Sequence, residues 1–379
     1  MILPALVAVA EEFDFGGEVL DVQRYGSGNV NDTFLVTLDS GPYGKAILQR
    51  VNQQVFHRPE LIILNMRAFM DYLRREMEQS AELPERRWET PDIIASKGGA
   101  DYFVDAEQGF WRATTFVEGA QTYDTIQSYR HAAEVGYALG RFHRLLSALP
   151  VEKLYDTLEG FHITPRYLAH YDEVLARDGY KSSPEVRYAL NFVAQRRGWA
   201  SVLEDAVARR ELTIRPIHGD PKVNNIMIDD ITGQAVSMVD LDTVKPGLVH
   251  YDIGDCLRSC CNPLGEETCA LDEVRFETDL CQTILEGYLS QAQPFLNRHD
   301  YEYLYAAVHL IAFELGLRFF TDYLEGNVYF RTQDAEHNLR RALVQFRLTE
   351  SIERQADAIQ MIINDQQLSS AIIYRGIPH

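Results

Sequence analysis

Cysteine is scarce in this sequence: there are five residues in 379, an odd number, all between Cys256 and Cys281. That distribution argues against a disulfide framework and for a reducing, cytoplasmic setting. No zinc-type CxxC pair occurs. Cys256 and Cys260 stand one helical turn apart, and the pair reads better as small buried hydrophobes than as metal ligands. Positive charge is also in deficit, with 36 Lys and Arg against 56 Asp and Glu and a formal net charge of -20. Such a field repels polyanions, so neither nucleic acid nor an anionic membrane is an expected partner. Met1 to Ala10 are apolar, yet they lack a basic flank and run into Glu11 and Glu12. This suits neither a signal peptide nor a spanning helix, and a packed N-terminal segment is expected. Internal repeats and low-complexity tracts are absent as well.

The first third of the chain reads as strands. Runs at Val19–Arg24, Thr33–Leu38, Ala46–Val51, Asp101–Val104 and Trp111–Val117 are rich in β-branched and aromatic residues, with glycines at the turns. One helix interrupts them, opened by Pro59 and carried by Leu61, Leu64, Ala68 and Tyr72 to about Gln79. From Thr125 the period becomes helical, with Ser183 and Pro184 opening another long helix and Tyr301–Leu324 forming the longest. Three short strands, Thr213–Ile217, Asn225–Ile228 and Ala235–Val239, break this pattern. The expected fold is therefore α+β and two-lobed: residues 1–117 form a small antiparallel sheet lobe, and residues 118–379 a larger, mainly helical lobe. The stretch from Val117 to Ala120 is the expected hinge.

The chemistry concentrates in Ile217-His218-Gly219-Asp220-Pro221-Lys222-Val223-Asn224-Asn225, followed by a hairpin and then Val239-Asp240-Leu241-Asp242. In phosphoryl transfer by protein kinases, a loop aspartate takes the acceptor's hydroxyl proton. An asparagine five residues on, and a second aspartate beyond the next turn, hold Mg²⁺. Asp220, Asn225 and Asp240 have that spacing. Lys222 is placed to offset charge on the transferred phosphate, and Asp242 is a further candidate metal ligand. An isolated aspartate in a loop usually caps a turn. The joint His-x-Asp-x4-Asn and Asp-x-Asp pattern is what makes this one catalytic, with His218 ordering the loop.

The chain resembles the aminoglycoside phosphotransferase and choline kinase superfamily, whose fold is protein-kinase-like, and within it the N-acetylhexosamine 1-kinases. The resemblance rests on Gly26-Ser27-Gly28-Asn29-Val30-Asn31-Asp32, Leu48-Gln49-Arg50-Val51-Asn52, the loop His218–Asn225, Asp240 to Gly247, Tyr251-Asp252-Ile253-Gly254-Asp255, and Glu314 to Tyr323. It implies ATP and Mg²⁺ as cofactors and a small sugar as partner. Gly26, Ser27 and Gly28 would cover the phosphates, and the backbone of Phe116, Val117 and Glu118 would meet adenine. The third strand lacks the usual lysine, leaving Arg50 as the cation or Gln49 as the inward side chain, with Glu60 or Glu76 as helix partners for that cation. Arg318 and Tyr329 are candidate acceptor contacts, as are Asn29 and Asp32, while Asp252 and Asp255 brace the catalytic loop. Choline, another amine or an aminoglycoside is the alternative acceptor, and an inactive nucleotide-binding regulatory module the alternative of another class.

Overall fold

The computed structural model describes residues 3–26, 30–79, 86–177, 179 and 181–375. The expected phosphate-turn residues Ser27 and Gly28, and the acceptor candidate Asn29, lie outside the described residues. The chain divides into two compact units. The first joins Met1–Ala120 with Leu149–Glu159 and Val239–Lys245, and the second holds Gln121–Ala148, Gly160–Met238 and Pro246–His379. Two segments that come after residue 117 in sequence thus group with the first unit.

The first unit contains α1 (Leu3–Ala10), β1 (Val19–Arg24), β2 (Asp32–Leu38), β3 (Lys45–Val51), α2 (Glu60–Gln79), β4 (Ile93–Ile94), β5 (Phe103–Val104) and β6 (Phe110–Thr115). The sheet is antiparallel in the order β1-β2-β3-β6-β4, with β5 pairing β6. Side chains alternate between its faces, and this decides which polar residues meet. Leu48 and Trp111 join α1 residues Leu6 and Ala10, with Phe13 and Phe15, in one buried cluster. Gln49 and Arg112, directly opposed in register, therefore project to the other face. There the Arg112 guanidinium reaches the Met66 sulfur of α2 at 3.4 Å.

The short β7 (Ala120–Gln121) spans the boundary between the units, and the second continues with α3 (Tyr129–Leu146), α4 (Thr164–Leu175), α5 (Pro184–Arg196) and α6 (Val202–Ala208). After β8 (Arg215–Ile217) comes the hairpin of β9 (Ile226–Asp229) and β10 (Ala235–Met238). The rest is α7 (Val249–Cys260), α8 (Thr278–Ala292), α9 (Arg298–Glu302), α10 (Leu304–Leu324), α11 (His337–Arg354) and α12 (Ala356–Arg375). Ser128 and Ser183 cap α3 and α5 by accepting from the His131 and Val186 N–H groups. The single long helix read over Tyr301–Leu324 is instead broken at Tyr303. By length and composition α10 passes for a membrane span, but 83% of its apolar window is buried, as in a core helix.

Glycine lets α3 and α8 approach to backbone contact. A Cβ on Gly136 would lie 2.0 Å from the Ile284 carbonyl oxygen, and one on Gly287 2.2 Å from that of Ala133. This approach puts His143 of α3 beside Tyr288 of α8, with ring Nδ1 and hydroxyl 3.0 Å apart. Gly136→Ala is expected to lower stability by at least about 1–3 kcal/mol, because the added methyl meets backbone that no rotamer can move. Thermal denaturation checks this, and an unchanged melting temperature would contradict the packing described.

Candidate active site

In the second unit the loop His218–Asn225 is held by its main chain. Asp252 of α7 is fully buried. One of its carboxylate oxygens accepts from the His218 N–H at 2.7 Å and from His143 Nε2 at 2.8 Å, and the other accepts from the Gly219 N–H at 2.8 Å. Burial works against the Asp252 charge, but these donors outweigh it and hold the carboxyl below its ordinary range. Asp252 thus braces the loop, as the sequence suggests. Asp255 does something different: it pairs with Arg258 at 2.8 Å, both side chains buried. Gly219 has φ +87°, a turn that a side chain would strain, and it delivers Asp220 immediately after the gripped peptides.

Asp220 lies 2.9 Å from Lys222 Nζ, with about a quarter of its side chain exposed. Burial opposes its charge, yet the Lys222 ammonium, helped by His218 and Arg258, keeps the carboxyl below the usual carboxylate range. Asp220 is therefore ionised at neutral pH and able to accept a proton. Asn225 donates through Nδ2 to the Asp220 carbonyl at 2.7 Å, which leaves Oδ1 as an oxygen acceptor. His218 is buried and packs edge-on against Phe142, a position that orders the loop.

Arg318 of α10 sits among four aromatic rings, its guanidinium carbon 5.0 Å from the centroids of Phe161 and Tyr167, 5.4 Å from Phe330 and 6.0 Å from Tyr329. Burial disfavours its charge, but the nearby Tyr167 and Tyr329 hydroxyls, with the Glu314 and Asp220 carboxylates, raise its pKa further. The two acceptor candidates Arg318 and Tyr329 thus lie side by side. Phe161 and Tyr167, far off in sequence, complete it. The loop that carries Tyr329 is fixed by Asp322, whose carboxylate accepts from the N–H groups of Val328, Tyr329 and Phe330 at 2.8, 2.7 and 3.0 Å.

In the first unit Asp240 is exposed and has φ 63°, a left-handed backbone rare outside glycine and often found at functional positions. Asp242, two residues on, is buried. One of its oxygens pairs with Arg112, and the other accepts from Asn31 Nδ2 at 2.6 Å. Both oxygens of this candidate metal ligand are thus engaged by protein donors. Arg112 also donates to the Gln49 side-chain Oε1 at 2.7 and 3.0 Å. Alternation puts Arg50 on the α1 face, over the Trp111 ring at 5.8 Å. The buried cation of the opposite face is Arg112. Glu60 pairs with Arg58 instead.

Among the remaining candidates, Gly26 has φ +73°, Phe116 contacts the Tyr25 ring edge-on at 5.9 Å, and Val117 is buried. The Glu118 carbonyl accepts from Arg87 at 2.6 Å. Asp32 pairs with Arg24 at 2.9 Å on exposed strand ends. Asn65 of α2, which sequence reasoning missed, ties the returning segments to the helix: its side chain donates to the Tyr155 and Val244 carbonyls and accepts from the Tyr155 N–H, each at 2.8 Å.

The donor types suit a hard cation. Asn225 Oδ1 in the second unit and the Asp240 carboxylate in the first are each an oxygen donor of the type that Mg²⁺ accepts. Among the described residues no group of three His, Cys, Asp or Glu could hold a metal by itself. A metal bound mainly by substrate phosphates needs no such group.

The profile of the phosphotransferase enzyme family, the family of aminoglycoside phosphotransferases, matches residues 21–280. The chain belongs to that family. It is a small-molecule kinase of protein-kinase-like fold. Similar solved structures include a microcompartment-associated aminopropanol kinase, at 16% identity and TM-score 0.60 over 95% of this chain and 99% of that one. A choline kinase from Cryptosporidium parvum Iowa II shows 13% identity and TM-score 0.60 over 95% and 97%. An amicoumacin kinase in complex with AMP-PNP and Ca²⁺ shows 15% identity and TM-score 0.58 over 93% of each chain.

Removing Arg112 leaves the Asp242 charge buried and unpaired, so Arg112→Ala is expected to cost about 3–5 kcal/mol. Asp240→Gly keeps the left-handed turn and removes only a carboxylate. It should fold as well as the parent while losing response to Mg²⁺. Chemical denaturation and a Mg²⁺ titration of activity check the pair. Equal stability losses in both variants would contradict the division of roles between the two aspartates.

Proposed function

We propose that this kinase transfers the γ-phosphate of ATP to the anomeric hydroxyl of a small sugar, an N-acetylhexosamine such as N-acetylglucosamine or N-acetylgalactosamine, giving a sugar 1-phosphate. Asp220 orients the hydroxyl and takes its proton as the oxygen bonds to phosphorus and ADP departs. Lys222 offsets charge on the transferred group. Asn225 and Asp240 would hold Mg²⁺, which when bound neutralises the phosphate oxygens. The backbone near Gly26 and that of Phe116 to Glu118 would serve the nucleotide.

The observation that carries the acceptor reading is the Arg318 cluster. Quaternary ammonium ligands are recognised by open aromatic faces. Here a guanidinium of the protein already occupies four such faces, and its field opposes a second cation. No described residue accepts a hydrogen bond from that guanidinium, so its donors suit the hydroxyl and carbonyl oxygens of a neutral amido sugar. Aminopropanol and choline kinases share the fold. Likeness of fold does not carry over a substrate.

A panel of N-acetylglucosamine, N-acetylgalactosamine, glucosamine, choline and an aminoglycoside, with ATP and Mg²⁺, tests the reading by ADP release and product mass. An N-acetylhexosamine should be the best acceptor. Arg318→Ala should lower kcat/KM for it by roughly 1–3 kcal/mol while the KM for ATP changes little, as for a polar partner left unpaired. Choline as the best acceptor would overturn the sugar assignment. ADP formation with no acceptor tested would indicate another substrate class, and no turnover at all a regulatory module.

A further inference from the structure

His162 lies in the second unit just before α4, in a left-handed backbone conformation at φ 65°. Its ring is buried, stacked on Tyr251 at 5.5 Å and tilted against Phe161 at 4.0 Å. Both ring nitrogens are engaged: Nε2 is 2.7 Å from the Gly219 carbonyl oxygen, and Nδ1 is 2.9 Å from the Glu314 carboxylate. A backbone carbonyl can only accept, and so can an ionised carboxylate. A neutral imidazole carries one N–H and cannot serve both partners.

The remaining escape would be a protonated Glu314 donating to a neutral ring. Glu314 argues against it, because its second oxygen already accepts the Thr164 hydroxyl at 2.6 Å and Arg318 follows one turn along α10. Burial favours neutral Glu314, but His162, Arg318 and Thr164 outweigh it and hold the carboxyl low. The groups around the ring are Glu314 and Arg318 from α10, Asp255 and Tyr251 from α7, Tyr167 from α4, and Glu204 of α6, whose carboxylate accepts from the Tyr251 hydroxyl.

We infer that His162 is a positioning residue that is protonated at neutral pH, whose imidazolium joins Glu314 to the Gly219 carbonyl and so fixes the peptide plane leading into Asp220. The Gly219 N–H is held by Asp252 and its carbonyl by His162, so the residue before the base is gripped from two sides. The inference rests on Asp220 as the base; it does not depend on which acceptor is phosphorylated. Burial pulls the His162 pKa down, while the Glu314 carboxylate and the other acceptors pull it up further, for a net rise. The charged form is then the native one. Its contribution is fully present below the ordinary histidine value and is lost as pH rises through the raised one.

The first test needs no substrate. Nitrogen-15 spectra of histidine-labelled protein, with the His162 signals assigned by their loss in His162→Asn, should show both ring nitrogens protonated at pH 7.5. An unprotonated ring nitrogen at that pH overturns the inference and leaves the proposed reaction untouched. The second test compares kcat against pH for the parent and Glu314→Gln, using the best acceptor of the panel. A glutamine can donate to Nδ1 while Nε2–H of a neutral ring still serves Gly219, so the variant should lose an alkaline fall in kcat that the parent shows. The parent's fall should approach about tenfold per pH unit beyond the His162 pKa. An identical alkaline limb in both proteins, or none in the parent, overturns the positioning role.

Discussion

The catalytic loop depends on one buried carboxylate. Asp252 accepts from the N–H groups of His218 and Gly219 and from His143, and that grip sets the peptides that lead into Asp220. A carboxylate with three donors is held ionised in a place where an unpaired charge would be prohibitive. One of these donors, His143, is set beside Tyr288 where α3 and α8 meet at Gly136 and Gly287. Local turn chemistry, helix packing and a fixed Asp220 therefore form one chain of causes.

α10 organises the rest of that unit along a single stripe. Glu314, Arg318 and Asp322 are spaced four residues apart and so share a face. Glu314 serves His162, Arg318 enters the aromatic cluster, and Asp322 fixes the loop bearing Tyr329. In the first unit the comparable anchor is Asp242, tied to Arg112 and Asn31. Two residues before it, Asp240 is exposed and left-handed in its backbone.

The pattern of strands and helices was legible in the sequence because each element carries a clear period. β1 occupies Val19–Arg24 as read, and the other runs shift by a few residues. The two-residue β4 is too short to carry a period, and Tyr303 ends α9 without glycine or proline. The Asp220, Lys222, Asn225 spacing was readable because all three lie on one loop. Partners brought from elsewhere were not. Arg112 stands 130 residues from Asp242, and His162 lies 57 from Gly219, with no local motif to mark either. Strand alternation was the one available signal for Gln49 over Arg50, and the register now gives it the cation opposite, Arg112.

The central claim is that a main-chain grip presents Asp220 as the base of phosphoryl transfer. Rapid-quench turnover of Asp220→Asn, alongside its nucleotide affinity and melting temperature, tests this most directly. The loop's hydrogen bonds do not require that carboxylate, so folding and nucleotide binding should persist while the transfer step slows by about 10²–10⁴-fold. Transfer at the parent rate, with the same product, would contradict the account.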